Sequence, residues 1–122
     1  MTRILVIDDD AGVRETIRQT LDERGYEVIT AVNGALGLAA FRDAPPDLAI
    51  TDIIMPVMEG LQTIRALRCE RPEMPIIAMS AGARGARHDL LEIARQLGVW
   101  EIVVKPFDPD DLAALVESCL AR

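Results

Sequence analysis

Short apolar runs alternate along this chain with longer stretches in which apolar residues recur every three or four positions, a pattern that predicts strands followed by amphipathic helices. The first run, Ile4-Leu5-Val6-Ile7, is continuous and rich in β-branched residues, as expected of a strand covered on both faces, and is taken as β1. Val13, Ile17 and Leu21 mark one face of a helix, α1, which Gly25 stops, and Glu27–Ala31 gives β2. Asn33 caps α2, whose apolar positions are Leu36, Ala40 and Phe41; it must end before Pro45-Pro46, because a residue preceding proline avoids the helical region. Leu48–Thr51 is β3. A helix from about Leu61, α3, turns Ile64 and Leu67 inward and closes near Pro72, and Pro75–Met79 is β4. Leu90, Leu91, Ala94 and Leu97 place α4 ahead of Gly98, and Ile102–Val104 is β5. The last helix, α5, opens with Asp108 as cap, Pro109 at the first helical position and Asp111 three after the cap, then buries Leu112, Leu115, Val116, Cys119 and Leu120.

Strand and helix therefore alternate five times, which predicts an α/β fold. Right-handed crossovers between parallel strands lead to a doubly wound five-stranded sheet of the flavodoxin-like (βα)5 kind, in the order 2-1-3-4-5. In that order the direction of winding reverses between β1 and β3, and ligands of such sheets bind beyond the carboxyl ends of the strands at that point. With 122 residues, half of them apolar, and no linker or repeat, residues 1–122 are expected to form a single domain. A net charge of −7 argues against direct nucleic-acid binding, which needs a surplus of lysine and arginine on one face. No stretch approaches the roughly 20 apolar residues needed to span a bilayer, and Met1-Thr2-Arg3-Ile4 runs into a strand without a leader pattern. A cytoplasmic location is the expectation, with no membrane partner. Cys69 and Cys119 lie in helical segments without metal or redox spacing and are read as reduced packing residues.

The strand ends carry the candidate chemistry. Asp8-Asp9-Asp10 follows β1 and Asp52 follows β3, so two loops aim carboxylates into one crevice. Carboxylates a few ångströms apart raise one another's pKa or recruit a cation, and an all-oxygen cluster suits Mg2+. The other two strand ends supply Ser80, a neutral donor, and Lys105, a fixed cation. Metal, ammonium and hydroxyl together describe a site for a phosphoryl group, with one carboxylate left as nucleophile. Asp10 is assigned to capping α1.

Four segments carry a resemblance to the receiver family of two-component signalling, and the match runs the length of the chain. Val6-Ile7-Asp8-Asp9 resembles the family's acidic pair, Asp52-Ile53-Ile54-Met55-Pro56-Val57-Met58-Glu59-Gly60 its DxxMPxMxG loop, Met79-Ser80-Ala81 its Thr/Ser-Ala strand end, and Lys105-Pro106-Phe107 its KPF. The resemblance implies that Asp52 is the phosphoacceptor and that Asp8 and Asp9, with Asp52 and the backbone carbonyl of Ile54, bind Mg2+. It further implies that Ser80 and Ala81 read the phosphoryl group, that Lys105 pairs with it, and that the bond before Pro106 is cis. The implied partners are a sensor histidine kinase or a histidine phosphotransfer protein, meeting α1 around Arg14 and Arg18, and a downstream effector meeting the α4-β5-α5 face. Monomer and homodimer through that face both remain open, as does the chain's being part of a larger protein. The implied role is signalling, the only reactions being Mg2+-dependent phosphorylation and dephosphorylation of the chain itself.

Two departures stand out. The family usually has Tyr or Phe three residues before the KPF lysine, where this chain has Ile102, a stiff aliphatic without a polar tip, so the aromatic form of the switch cannot operate unchanged. Trp100 is expected on the same side of β5 as Ile102, as packing or as a partner contact. The segment Gly82–His88 is about three residues longer than usual and carries Arg84, Arg87 and His88, read as a solvated loop or a patch for an acidic partner. Met55 and Met58 are read as loop packing. A flavin-binding carrier is excluded because Asp8-Asp9-Asp10 would repel the phosphate such a loop must cradle. An aspartyl-phosphate hydrolase would place its nucleophile after β1 and need a cap domain. A receiver-like docking module that is never phosphorylated is the remaining alternative.

Overall fold

A computed structural model describes residues 1–53, 60–80 and 88–121, with the side chains of residues 88–91 left aside. Its strands are β1 Arg3–Ile7, β2 Glu27–Ala31, β3 Leu48–Asp52, β4 Ile76–Ser80 and β5 Glu101–Val104, and its helices α1 Ala11–Asp22, α2 Gly34–Asp43, α3 Gly60–Glu70, α4 His88–Gln96 and α5 Pro109–Leu120. All strand pairings are parallel and the order is β2-β1-β3-β4-β5, as the alternation of elements requires.

Strand residues alternate between two cores, which is the signature of a sheet covered on both faces. Leu5, Ile7, Ala49, Ile76 and Ala78 pack with Leu38 and Phe41 of α2, Ile64 and Leu67 of α3 and Ala94 of α4. Ile4, Val6, Leu48, Ile50, Ile77 and Met79 pack with Ile17 and Leu21 of α1 and Leu112, Val116 and Cys119 of α5. Helix starts follow local capping. Asp10 accepts from the amides of Gly12 and Val13, Asn33 from that of Leu36, and Asp108 from that of Asp110 with Pro109 next in line. Gly25 and Gly98, at φ of 90° and 82°, close α1 and α4 where a side chain would be strained.

Four expectations change. Leu36 is exposed, because α2 turns Gly37, Leu38 and Phe41 inward and leaves position 36 on the outer face. Cys119 is buried, but Cys69 is exposed, because α3 turns Ile64 and Leu67 inward and leaves position 69 on the outer face. Trp100 does not share a side with Ile102: it packs in the α1/α5 core, whereas Ile102 packs in the core of α2, α3 and α4. β5 begins only at Glu101, so strand alternation does not reach Trp100. β3 and β4 each run one residue further than expected, to Asp52 and Ser80, which places Asp52 in the last pleat of the sheet rather than in a loop and keeps Ser80 at its strand end.

Candidate functional site

Four side chains meet at the carboxyl ends of β1, β3 and β5. Asp8 is fully buried, Asp52 is nearly so and Asp9 is exposed. Oxygens of the three carboxylates lie within 4.8 Å of one another. Lys105 reaches across from the end of β5, its Nζ donating to Asp8 Oδ2 at 2.7 Å and to Asp52 Oδ2 at 3.2 Å. The bond from Lys105 to Pro106 is cis.

The backbone explains why the cluster is so tight. The Asp8 amide donates to the Ala31 carbonyl and the Ile53 amide to that of Met79, so each acidic segment is held by the strand beside it. Asp8 Oδ1 accepts from the Asp10 amide at 2.9 Å, which fixes the second oxygen of that carboxylate. The Ser80 carbonyl accepts from the Lys105 amide at 2.8 Å, linking the two residues expected to contact a phosphoryl group. At the other end of the loop from β3, the Gly60 amide donates to the Ile53 carbonyl at 2.7 Å. A Cβ at position 60 would collide with the carbonyl of Asp52 and the backbone of Ile53, which explains the glycine there.

Electrostatics at the cluster are unbalanced, with three carboxylates around one ammonium. Burial pushes the Lys105 pKa down, but the hydrogen bond to Asp8 and the charges of Asp52 and Asp8 outweigh it, so the group lies above the usual lysine range and stays protonated. Burying several like charges is costly unless a cation compensates. The donor set, oxygen only and partly open to solvent through Asp9, fits a hard divalent ion such as Mg2+.

Other sequence-derived positions are spread more widely. Ile54, Ala81, Met55, Met58 and residues 82–87 lie outside the described residues, as does the side chain of His88. Ile102 is half-buried against the core, and Val104, on the same edge strand, is exposed. Arg14, which the resemblance implies as a partner contact on α1, is half-buried and donates from its guanidinium to the Asp8 carbonyl at 2.8 Å. Arg18 is occupied by Glu15 on its own helix. Only the spacing of Arg14 from the acidic run could have signalled its role, since a residue one turn past an N-cap can reach back over the loop. A cleft of about 620 Å³ opens beside Lys105, lined by Asp10, Val13 and Thr16 on one wall and Pro106, Phe107 and Pro109 on the other. No helix among the described residues is long and apolar enough to cross a membrane.

Residues 4–117 match the family model of the response regulator receiver domain. The probable transcriptional regulator ycf27 of Pyropia yezoensis is 41% identical over 120 residues, covering 98% of this chain and 48% of that protein. Response regulator Rre1 of Synechocystis is 34% identical over 98% of this chain and 52% of its own length. The chain thus spans about half the length of these relatives. Among solved structures, chemotaxis protein CheY4 of Vibrio cholerae superposes with a TM-score of 0.87 at 30% identity, over 98% of both chains. Response regulator TrrA of Thermotoga maritima, solved in complex with Mg2+ and BeF, gives 0.85 at 35% identity over 98% of this chain and 99% of that one.

Proposed function

The chain belongs to the response regulator receiver family of two-component signalling, and on that premise we propose that Asp52 accepts a phosphoryl group from the phosphohistidine of a partner protein. The observation that carries the proposal is the convergence of Asp8, Asp9, Asp52 and Lys105 on one point at the topological switch of the sheet. A carboxylate oxygen of Asp52 would attack phosphorus, forming a P–O bond as the P–N bond breaks and its electron pair leaves with the imidazole. Mg2+ held by Asp8, Asp9 and Asp52, with the Ile54 carbonyl as a further ligand by family resemblance, would neutralise the phosphoryl oxygens. Lys105, kept protonated by its neighbours, stands against Asp52 to pair with the added charge. Ser80 and Ala81 would read the new oxygens, and the strand link from Ser80 to Lys105 ties that reading to β5.

Receiver domains act with histidine kinases and effectors in general. For this chain we assign the donor to the cleft beside Lys105, between α1 and the segment after β5, and the effector to the α4-β5-α5 face. Residues 1–122 act here as a single cytoplasmic receiver unit, with homodimerisation through the same face as a further outcome. Ile102 replaces the aromatic switch residue, so output must rest on displacement of the Ser80 strand end and α4 rather than on ring rotation.

The test is intact mass after incubation with acetyl phosphate and Mg2+. Wild type is expected to gain one phosphoryl group only when Mg2+ is present, and Asp52→Asn none. Equal uptake by Asp52→Asn would remove the assignment. No uptake by wild type, together with no beryllofluoride binding, would favour the unphosphorylated docking module, the reading that Ile102 keeps open.

A further inference from the structure

The three carboxylates of the cluster are held unequally. Both oxygens of Asp8 are engaged, by Lys105 and by the Asp10 amide, and Asp52 is held by Lys105. Asp9 is exposed, and the backbone that carries it sets the position of its Cβ and so the arc its carboxylate can sweep. That backbone is fixed by the planar peptide joining Asp8 to Asp9, whose carbonyl accepts from Arg14 Nη1 at 2.8 Å. Arg14 is itself anchored, its amide donating to the Asp10 carbonyl at 3.0 Å. One residue of α1 therefore spans the whole acidic run.

We propose that Arg14 is a positioning residue of the cation site: its guanidinium sets the plane of the 8–9 peptide and thereby aims Asp9 at the ion. The proposal rests on the reading that the cluster binds Mg2+. Two effects of Arg14 oppose each other. As a positive charge beside an acidic cluster it repels a cation, so charge alone predicts that its removal tightens Mg2+ binding. As the clamp on the 8–9 peptide it organises a ligand, so positioning predicts that its removal weakens binding. The sign of the change separates the two.

Calorimetric titration of the purified protein with Mg2+ reads that sign directly. Arg14→Ala is expected to bind Mg2+ about tenfold more weakly than wild type, the usual scale for removing a group that orients a ligand. Arg14→Lys, which keeps a donor and the charge, is expected to recover most of the loss. Because the route is through Asp9, Arg14→Ala made in an Asp9→Ala background should cause no further loss. Amide exchange of the metal-free protein should be faster at Asp9 and Asp10 in Arg14→Ala, with an unchanged unfolding midpoint marking an intact fold. Binding by Arg14→Ala as tight as wild type or tighter would overturn the proposal, as would additive losses in the double variant. Absence of Mg2+ binding in wild type would instead remove the underlying reading of the cluster, and the proposal with it.

Discussion

At the scale of single residues, Lys105 would compete with a bound cation for the same carboxylates. Its ammonium lies 2.7 Å from a fully buried Asp8 and 3.2 Å from Asp52, so without metal it is what makes the cluster tolerable. Lys105→Met is expected to lower the stability of the metal-free protein by about 2 kcal/mol, less than for a wholly buried pair because the lysine retains some exposure. The same change should tighten Mg2+ binding several-fold, since a rival cation is gone. Urea unfolding with and without Mg2+ checks both halves; unchanged stability combined with weaker Mg2+ binding would show that Lys105 is not the counter-charge. Ile102 illustrates the opposite case, a residue whose chemistry is subtractive, because a half-buried aliphatic can pack but cannot carry a polar signal.

At the scale of elements, the boundaries of β3 and α3 position Asp52. Gly60 stands at the first position of α3, directly against the backbone of Asp52 and Ile53. Helix propensity alone predicts that Gly60→Ala stabilises the protein, by up to about 1 kcal/mol. The collision with main-chain atoms, which no rotamer can relieve, predicts a loss of about 3 kcal/mol instead. We expect the collision to win and the rate of phosphorylation to fall with it; a denaturation midpoint at or above that of wild type would show that the loop relaxes freely. Farther from the site, Arg68 on α3 donates to the carbonyls of Pro72, Met74, Leu97 and Gly98, and burial lowers its pKa. It fastens the segment after α4 to the one before β4. Between α2 and α3, the hydrogen bond and charge of Arg42 hold the exposed Glu70 carboxyl below the usual range.

At the scale of the whole molecule, the doubly wound sheet gathers every charged site residue at one end and leaves two apolar cores to hold it in place. A cation that binds only the assembled cluster must then stabilise the fold by mass action. Mg2+ at a hundred times its dissociation constant should add about 2.7 kcal/mol to the free energy of unfolding. For a chain of this size that corresponds to a rise in Tm of roughly 10 °C. Asp9→Ala should lose most of that rise while unfolding at a similar temperature without metal, because Asp9 is exposed and contributes little to the cores. A shift that survives Asp9→Ala in full would show that Asp9 is not a ligand.

The alternation of apolar runs and helical periods was enough to establish the order of elements, the parallel sheet and its switch point, because each is a consequence of local pattern and chain handedness. The convergence of the acidic run after β1, Asp52 and Lys105 was legible for the same reason: strand ends in such a sheet converge whatever the details of packing. Side-chain direction at the margins of elements was not. Trp100 lies one residue before β5, Cys69 on the outer face of α3 and Arg14 over the acidic loop, and in each case the outcome depends on which neighbour is within reach after folding. The distances that make Lys105 a counter-charge, Gly60 obligatory and Arg14 a clamp arise from segments far apart in sequence or turned back on themselves. Sequence alone determined which chemical groups would share the crevice; tertiary structure decided how each is held, because hydrogen-bond reach and steric exclusion act over ångströms that sequence spacing does not measure.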